Sequence, residues 1–133
     1  MNKLSFTKAK QLSIAKWQEI IKNDGIIIYH YKNPNLEYLI NNCGFCELVL
    51  KCVECPFIIR DDEDIYNCDS IKHPYGQWRM ASNDHDKKLY YAKFILYVIK
   101  HIKINHYRQS VNHKHLTLQD IEKLQQQFNK INK

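Results

Sequence analysis

Two C-x2-C pairs, Cys43-Gly44-Phe45-Cys46 and Cys52-Val53-Glu54-Cys55, stand five residues apart, and Pro56 follows the second. Two intervening residues let a chain curl back and offer both sulfurs to one ion. Two such pairs supply the four thiolates of a tetrahedral zinc site, with Zn–S distances of about 2.3 Å. The inner loop is shorter than the roughly 12–20 residues of most zinc ribbons, so it has room for a tight hairpin and not for two further strands. The spacing predicts a structural zinc ion held by Cys43, Cys46, Cys52 and Cys55. Cys68, the fifth cysteine, is the substitute ligand.

Compartment decides whether clustered cysteines mean metal or disulfides. Residues Met1–Lys10 lack the apolar core of a secretory signal peptide. The longest apolar stretch, Leu89–Ile99, is broken by Lys93 and falls short of the ~20 residues that a membrane span needs. The expectation is a cytoplasmic chain without membrane association, where thiols stay reduced. An iron–sulfur cluster on Cys43, Cys46, Cys52 or Cys55, and Cys68 is the alternative cofactor. The Cys43-x2-Cys46-x5-Cys52 spacing is similar to the cluster-bearing end of some RecB-type nucleases, but that family's carboxylate-and-lysine core does not occur here in order. Disulfide catalysis is disfavoured, because thioredoxin-type chemistry uses one C-x2-C at a strand–helix junction.

Around this segment the sequence reads as helices with one strand. Ile14, Trp17 and Ile21, widened by Leu12 and Ile20, predict a helix over 5–23 that stops at Asn23-Asp24-Gly25, with glycine in the left-handed position. The β-branched and aromatic run 26–31 predicts a buried strand, and Asn33-Pro34 can start a short helix through Ile40. Asp61-Asp62-Glu63-Asp64 reads as a solvated turn; a calcium loop would need a glycine and a downstream glutamate that are missing. His73-Pro74-Tyr75-Gly76 reads as a turn. Ser82, Asn83 and Asp84 then open the longest helix, about 84–108, with Asp84 and Asp86 near its positive end and a main apolar arc of Tyr91, Phe94, Ile95, Val98, Ile99 and Ile102. The last helix, 118–131, starts at Thr117 with Asp120 as capping-box acid and Leu116 stapled onto Ile121. Its stripe is Ile121, Leu124, Phe128 and Ile131. The fold class expected is α+β and mostly helical: leading helix, short strand, cysteine-knuckle metal site, long central helix and C-terminal helix. The 133 residues form one metal-stapled domain, divided into a leading helix and strand (1–42), an acidic cysteine-rich region (43–80) and a basic helical part (81–133).

Charge follows the same division. Residues 1–40 carry six basic and three acidic side chains, 41–86 four and nine, and 87–133 ten and two. Many of the C-terminal lysines suit a solvated helical face. The mixed stripe Lys93, Tyr97, Lys100, Ile104 and Arg108 also suits a phosphate backbone or an acidic protein surface. Tyr75 and Trp78, three residues apart, are a second candidate binding pair, able to stack on a base or else to bury their rings in the core. Of the seven histidines, His101 and His106 fall on opposed sides of the long helix and cannot share a ligand, while His113 and His115 flank Lys114 in a basic connector. No phosphate loop, nucleophile elbow or H-E-x-x-H motif occurs, and the reading is non-enzymatic.

The order Trp17, Cys43-x2-Cys46, Cys52-x2-Cys55-Pro56, Cys68 and Pro74-Tyr75-x2-Trp78 resembles a pattern found in small phage and prophage proteins. The resemblance covers about residues 15–80 and leaves the C-terminal helices unmatched. It implies an accessory protein that binds and inhibits a host defence protein, and it supplies no active site. The partner expected is a host protein, with nucleic acid or a small nucleotide as alternatives. A nucleotide would require basic and aromatic groups converging on one cavity.

Overall fold

The computed structural model describes residues 5–26, 32, 55–61, 64–66, 68, 70–81, 83–103, 106 and 114–132. Helix α1 runs from Phe6 to Lys22, and the Ser5 hydroxyl at its N-cap accepts the Lys8 N–H at 3.1 Å. Its inner face buries Ala9, Leu12, Trp17 and Ile20. Ser13 sits fully buried mid-helix because its hydroxyl donates back to the Ala9 carbonyl at 2.9 Å. At the far end Gly25 N–H donates to Ile20 O and Asp24 N–H to Ile21 O, at 2.8 and 3.0 Å. This paired arrangement is a Schellman closure. One detail differs from expectation: the first left-handed residue is Asp24 (φ 60°), and Gly25 (φ 81°) follows it. A short polar side chain tolerates that conformation better than other non-glycine residues do. The expected strand beyond Ile26 and the helix over 33–40 lie outside the described residues.

Strands β1 (Ile59–Asp61) and β2 (Asp64–Tyr66) form an antiparallel hairpin with Ile59 opposite Tyr66, Arg60 opposite Ile65 and Asp61 opposite Asp64. The acidic run expected as a solvated turn therefore contributes its two outer residues to strand ends. Helix α2 (Pro74–Met80) replaces the turn expected at 73–76. His73 caps it: its Nδ1 accepts the Tyr75 N–H at 3.0 Å, and its Nε2–H donates to the Phe57 carbonyl at 2.7 Å. Pro74 takes the first helical position, where a missing N–H removes nothing. Gly76 is obligatory here, since a Cβ would be driven into the Ser70 carbonyl oxygen.

Helix α3 (His85–His101) starts as expected, with the Asp84 carboxylate accepting the Lys87 N–H at 3.1 Å. It ends seven residues earlier than the expected 108: Ile102 is fully buried in an extended conformation (ψ 123°). Helix α4 (Leu118–Ile131) carries the full capping box, Thr117 N–H to Asp120 Oδ2 at 3.0 Å and Asp120 N–H to Thr117 Oγ1 at 3.1 Å. Ile121 and Phe128 are buried, whereas Ile131 is 72% exposed and lies outside the core stripe.

One hydrophobic cluster joins these elements. It contains Leu12, Trp17 and Ile20 of α1, Trp78 of α2, Phe94, Ile95, Val98 and Ile99 of α3, Phe128 of α4 and Ile59 of β1. Helices α1, α2 and α4 all pack on α3. The segment entering α4 docks on the hairpin, with Arg60 N–H donating to Leu116 O at 2.8 Å and Ile59 bridged in parallel to Leu116. The chain is thus a mostly helical α+β structure, and no helix among the described residues is long and apolar enough to cross a membrane.

The end of α1 presses directly on α3: a Cβ on Gly25 would stand 2.7 Å from Leu89 Cα. Gly25→Ala combines that clash with the left-handed backbone and is expected to cost about 2–4 kcal/mol. Urea denaturation followed by circular dichroism measures it, and an unchanged midpoint would show that this contact does not constrain the fold.

Candidate functional site

The C-terminus of a helix leaves carbonyls without partners. At the end of α3 a lysine from α1 supplies them: Lys10 Nζ donates to Lys100 O at 3.1 Å and to Ile102 O at 2.7 Å. A cation there also complements the negative end of the helix dipole. The chain then tightens into a turn in which Lys103 N–H donates to His106 Nδ1 and His106 N–H to Lys103 O, both at 2.9 Å. Because Nδ1 accepts, the neutral His106 ring carries its proton on Nε2. His101, in the last position of α3, donates from Nδ1 to the Tyr97 carbonyl at 2.7 Å, and its ring lies 4.4 Å from that of Tyr97.

This early ending of α3 creates a cleft of about 360 Å³ against the first turns of α4. His101, Lys103 and His106 line it from the α3 side; Lys114, Asp120 and Lys123 line it from the α4 side. Leu116 and Leu124 supply apolar wall. The expectation that His101 and His106 stand on opposed faces of one helix is overturned, since the helix stops at His101 and the following turn brings both to the same cleft. The three lysines were not among the residues singled out from sequence. The available signal was the basic excess of residues 87–133, but no glycine or proline after Gly76 marks where α3 ends.

The expected binding stripe fares unevenly. Lys100 is exposed and Lys93 half-buried. Tyr97 is covered by α4: its ring lies 5.5 Å from that of Phe128, and its hydroxyl lies 3.3 Å from Gln127 Oε1. Tyr90 completes the contact, donating to Asn129 Oδ1 at 2.6 Å. Ile104, Arg108 and His113 lie outside the described residues. His115 accepts from Arg60 Nη1 at 3.4 Å. Trp78 is core and not a stacking platform, only 3% exposed, with Nε1–H donating to Gly25 O at 2.8 Å. It meets the Trp17 ring edge-on at 5.0 Å, with half-buried Tyr75 5.5 Å away. Lys88 closes this cluster, its Nζ 3.9 Å above the Trp78 ring and donating to Trp78 O at 2.9 Å. Among the described residues the buried Trp17 Nε1–H has no hydrogen-bond partner.

Of the cysteines, Cys43, Cys46 and Cys52 lie outside the described residues. Cys55 is buried, and its Sγ accepts the Phe57 N–H at 3.4 Å. That bond fixes the position of the sulfur at the start of the segment leading into β1. Cys68 is half-buried. Among the described residues no group of three or more His, Cys, Asp or Glu side chains is arranged to hold a metal ion.

No family model, curated protein or solved structure matches this chain.

Burial lowers the pKa of the two capping lysines from the ordinary 10.5, with added repulsion from Lys103 at Lys10 and from Arg79 at Lys88. Both release their proton more readily in the folded chain than in the unfolded one. Their titration therefore favours the fold as pH rises toward 10.5, and that contribution is lost as pH falls through the folded values. Heteronuclear NMR of carbon-labelled lysine side chains is expected to show these two titrating ahead of the exposed lysines. One common midpoint for all lysines would contradict the buried capping geometry.

Proposed function

We propose that this chain is a non-enzymatic, zinc-stapled accessory protein that binds nucleic acid through the basic cleft between the end of α3 and the start of α4. The observation that carries the reading is the convergence of Lys103, Lys114 and Lys123 on one concavity beside two imidazoles. Ammonium groups gathered on one surface release counterions from a phosphate chain, and that release drives sequence-independent binding. The host-protein reading comes from the resemblance to phage proteins, and the stripe through Tyr97 suits a phosphate backbone or an acidic protein surface alike. Among the described residues of that stripe, Tyr97 is half-buried against Phe128 of α4, and Lys93 and Lys100 flank half-buried Leu96.

Fluorescence anisotropy of a short single-stranded oligonucleotide tests the proposal. Affinity should fall steeply with salt, the double-logarithmic slope being about −2 if all three lysines contact phosphate, at roughly −0.7 for each. The K114E/K123E variant should remove most of that slope. Both lysines are exposed, so stability should change by no more than about 1 kcal/mol. Binding that does not respond to salt would reject the reading.

The zinc part rests on the paired C-x2-C spacing. Elemental analysis is expected to give one zinc per chain and no iron, and Cys55→Ser should lose both the metal and soluble protein, because a site that contributes folding energy fails when one ligand goes. Cys68→Ser should be milder. Stoichiometric iron with visible absorbance would replace zinc by the cluster alternative.

A further inference from the structure

We propose that the same cleft is a discrete site for the phosphate monoester of a nucleotide, either free or at the end of a single-stranded nucleic acid. The inference rests on the phosphate-binding reading above and narrows it from a chain of phosphodiesters to one terminal group.

Size is the first reason. About 360 Å³ lies near the lower end of the range for small-ligand pockets, roughly 300–1,000 Å³. That is room for one nucleotide. Charge placement is the second. Lys103 follows α3, Lys114 lies in the approach to α4, and Lys123 lies on α4 itself. Three cations from separate segments thus share one concavity, whereas a groove that tracks a phosphodiester chain distributes its cations along a line. A monoester carries up to two negative charges at neutral pH, a better match to three ammonium groups than the single charge of a diester. Among the described residues that line this space the one carboxylate, Asp120, is already engaged by the Thr117 N–H at 3.0 Å in the α4 cap, and its single charge is outnumbered by the three lysines.

The two imidazoles divide the remaining work, one facing the phosphoryl group and one the base. His106 is held with its proton on Nε2 by the Lys103 N–H bond to Nδ1, giving a neutral donor suited to a phosphoryl oxygen. His101 is exposed and fixed in orientation by its bond to the Tyr97 carbonyl and by the Tyr97 ring behind it. A flat ring held in this way is a platform on which a nucleobase can stack. Leu116 and Leu124 add apolar wall. Basic and aromatic groups thus meet at one cavity.

The test compares one short single strand phosphorylated at one end, at the other end, or at neither. A nucleoside monophosphate, its nucleoside and inorganic phosphate serve as competitors. A terminal phosphate is expected to raise affinity roughly tenfold or more, as two or three charge-assisted hydrogen bonds would. The monophosphate should displace the strand better than inorganic phosphate, and the nucleoside should not displace it. K114E/K123E should abolish the tenfold difference while its circular dichroism is unchanged; K130E, at the far end of α4, should keep it. Equal affinity for all three strands, with salt dependence intact, overturns this inference and leaves the nucleic-acid reading standing. Monophosphate binding that K114E/K123E removes, without binding of any strand, supports the site as one for free nucleotide and rejects the nucleic-acid reading. Equal competition by inorganic phosphate overturns the nucleotide assignment, and failure of every ligand to bind overturns both.

Discussion

A helix that is apolar nearly all round must be enclosed, and α3 sets this requirement for the whole chain. Ala92, Phe94, Ile95, Val98 and Ile99 are fully buried along it, and each large side chain so removed from water favours folding by about 1.5–3 kcal/mol. Alone, a helix of this length would be marginal. Three other helices pack on it, and each brings an aromatic anchor. Trp17 comes from α1, Trp78 from α2 and Phe128 from α4. Phe128 stands 5.5 Å from each of the Tyr90, Phe94 and Tyr97 rings, so α4 is held by edge and tilted aromatic contacts as well as by area.

Helix ends pose the next problem, because the chain has only three glycines with which to close them. The α1 end uses one, with Asp24 ahead of it in the left-handed region. The other two ends that face the core use lysines from neighbouring helices. Lys10 of α1 serves α3, and Lys88 of α3 serves α2. At α3 termination and docking are linked, since the Lys100 and Ile102 carbonyls take their donor from α1; at α2, Lys88 adds to the Ala81 N–H that the Trp78 carbonyl already accepts at 3.3 Å. The lowered lysine pKa values are the electrostatic consequence of holding ammonium groups in that part-buried position.

What could be read from sequence follows from this division. Elements fixed by local chemistry were legible, including the Asp84 and Thr117 caps, the α1 stop and the buried arc from Phe94 to Ile102. Elements fixed by tertiary contacts were not. His73-Pro74 has the composition of a turn, and it becomes a helix start because Phe57 and the Tyr75 N–H both bond the imidazole. The end of α3 has no breaker residue, and its stop depends on Lys10, ninety residues away for the Lys100 carbonyl. The cleft inherits that obscurity. Lys103 and His106 read as continuations of a helical face until the helix ends, and Tyr97 reads as outward-facing until α4 covers it.

The acidic cysteine region and the basic cleft are opposite in charge, and the described structure joins them mechanically. Cys55 is buried two residues before Phe57, whose carbonyl bonds His73, and four before Ile59, the first residue of β1. Ile59 bridges Leu116, and Arg60 N–H bonds the Leu116 carbonyl. Leu116 in turn lines the cleft between Lys114 and the α4 cap. A metal ion holding Cys55 would therefore fix the start of β1, and β1 fixes the segment that carries Lys114. On this reading zinc needs no part in binding chemistry to matter for it. It would lower the conformational freedom of one wall of the cleft, so that the lysines meet a phosphate already arranged and the entropy of ordering them is spent in folding instead of in binding.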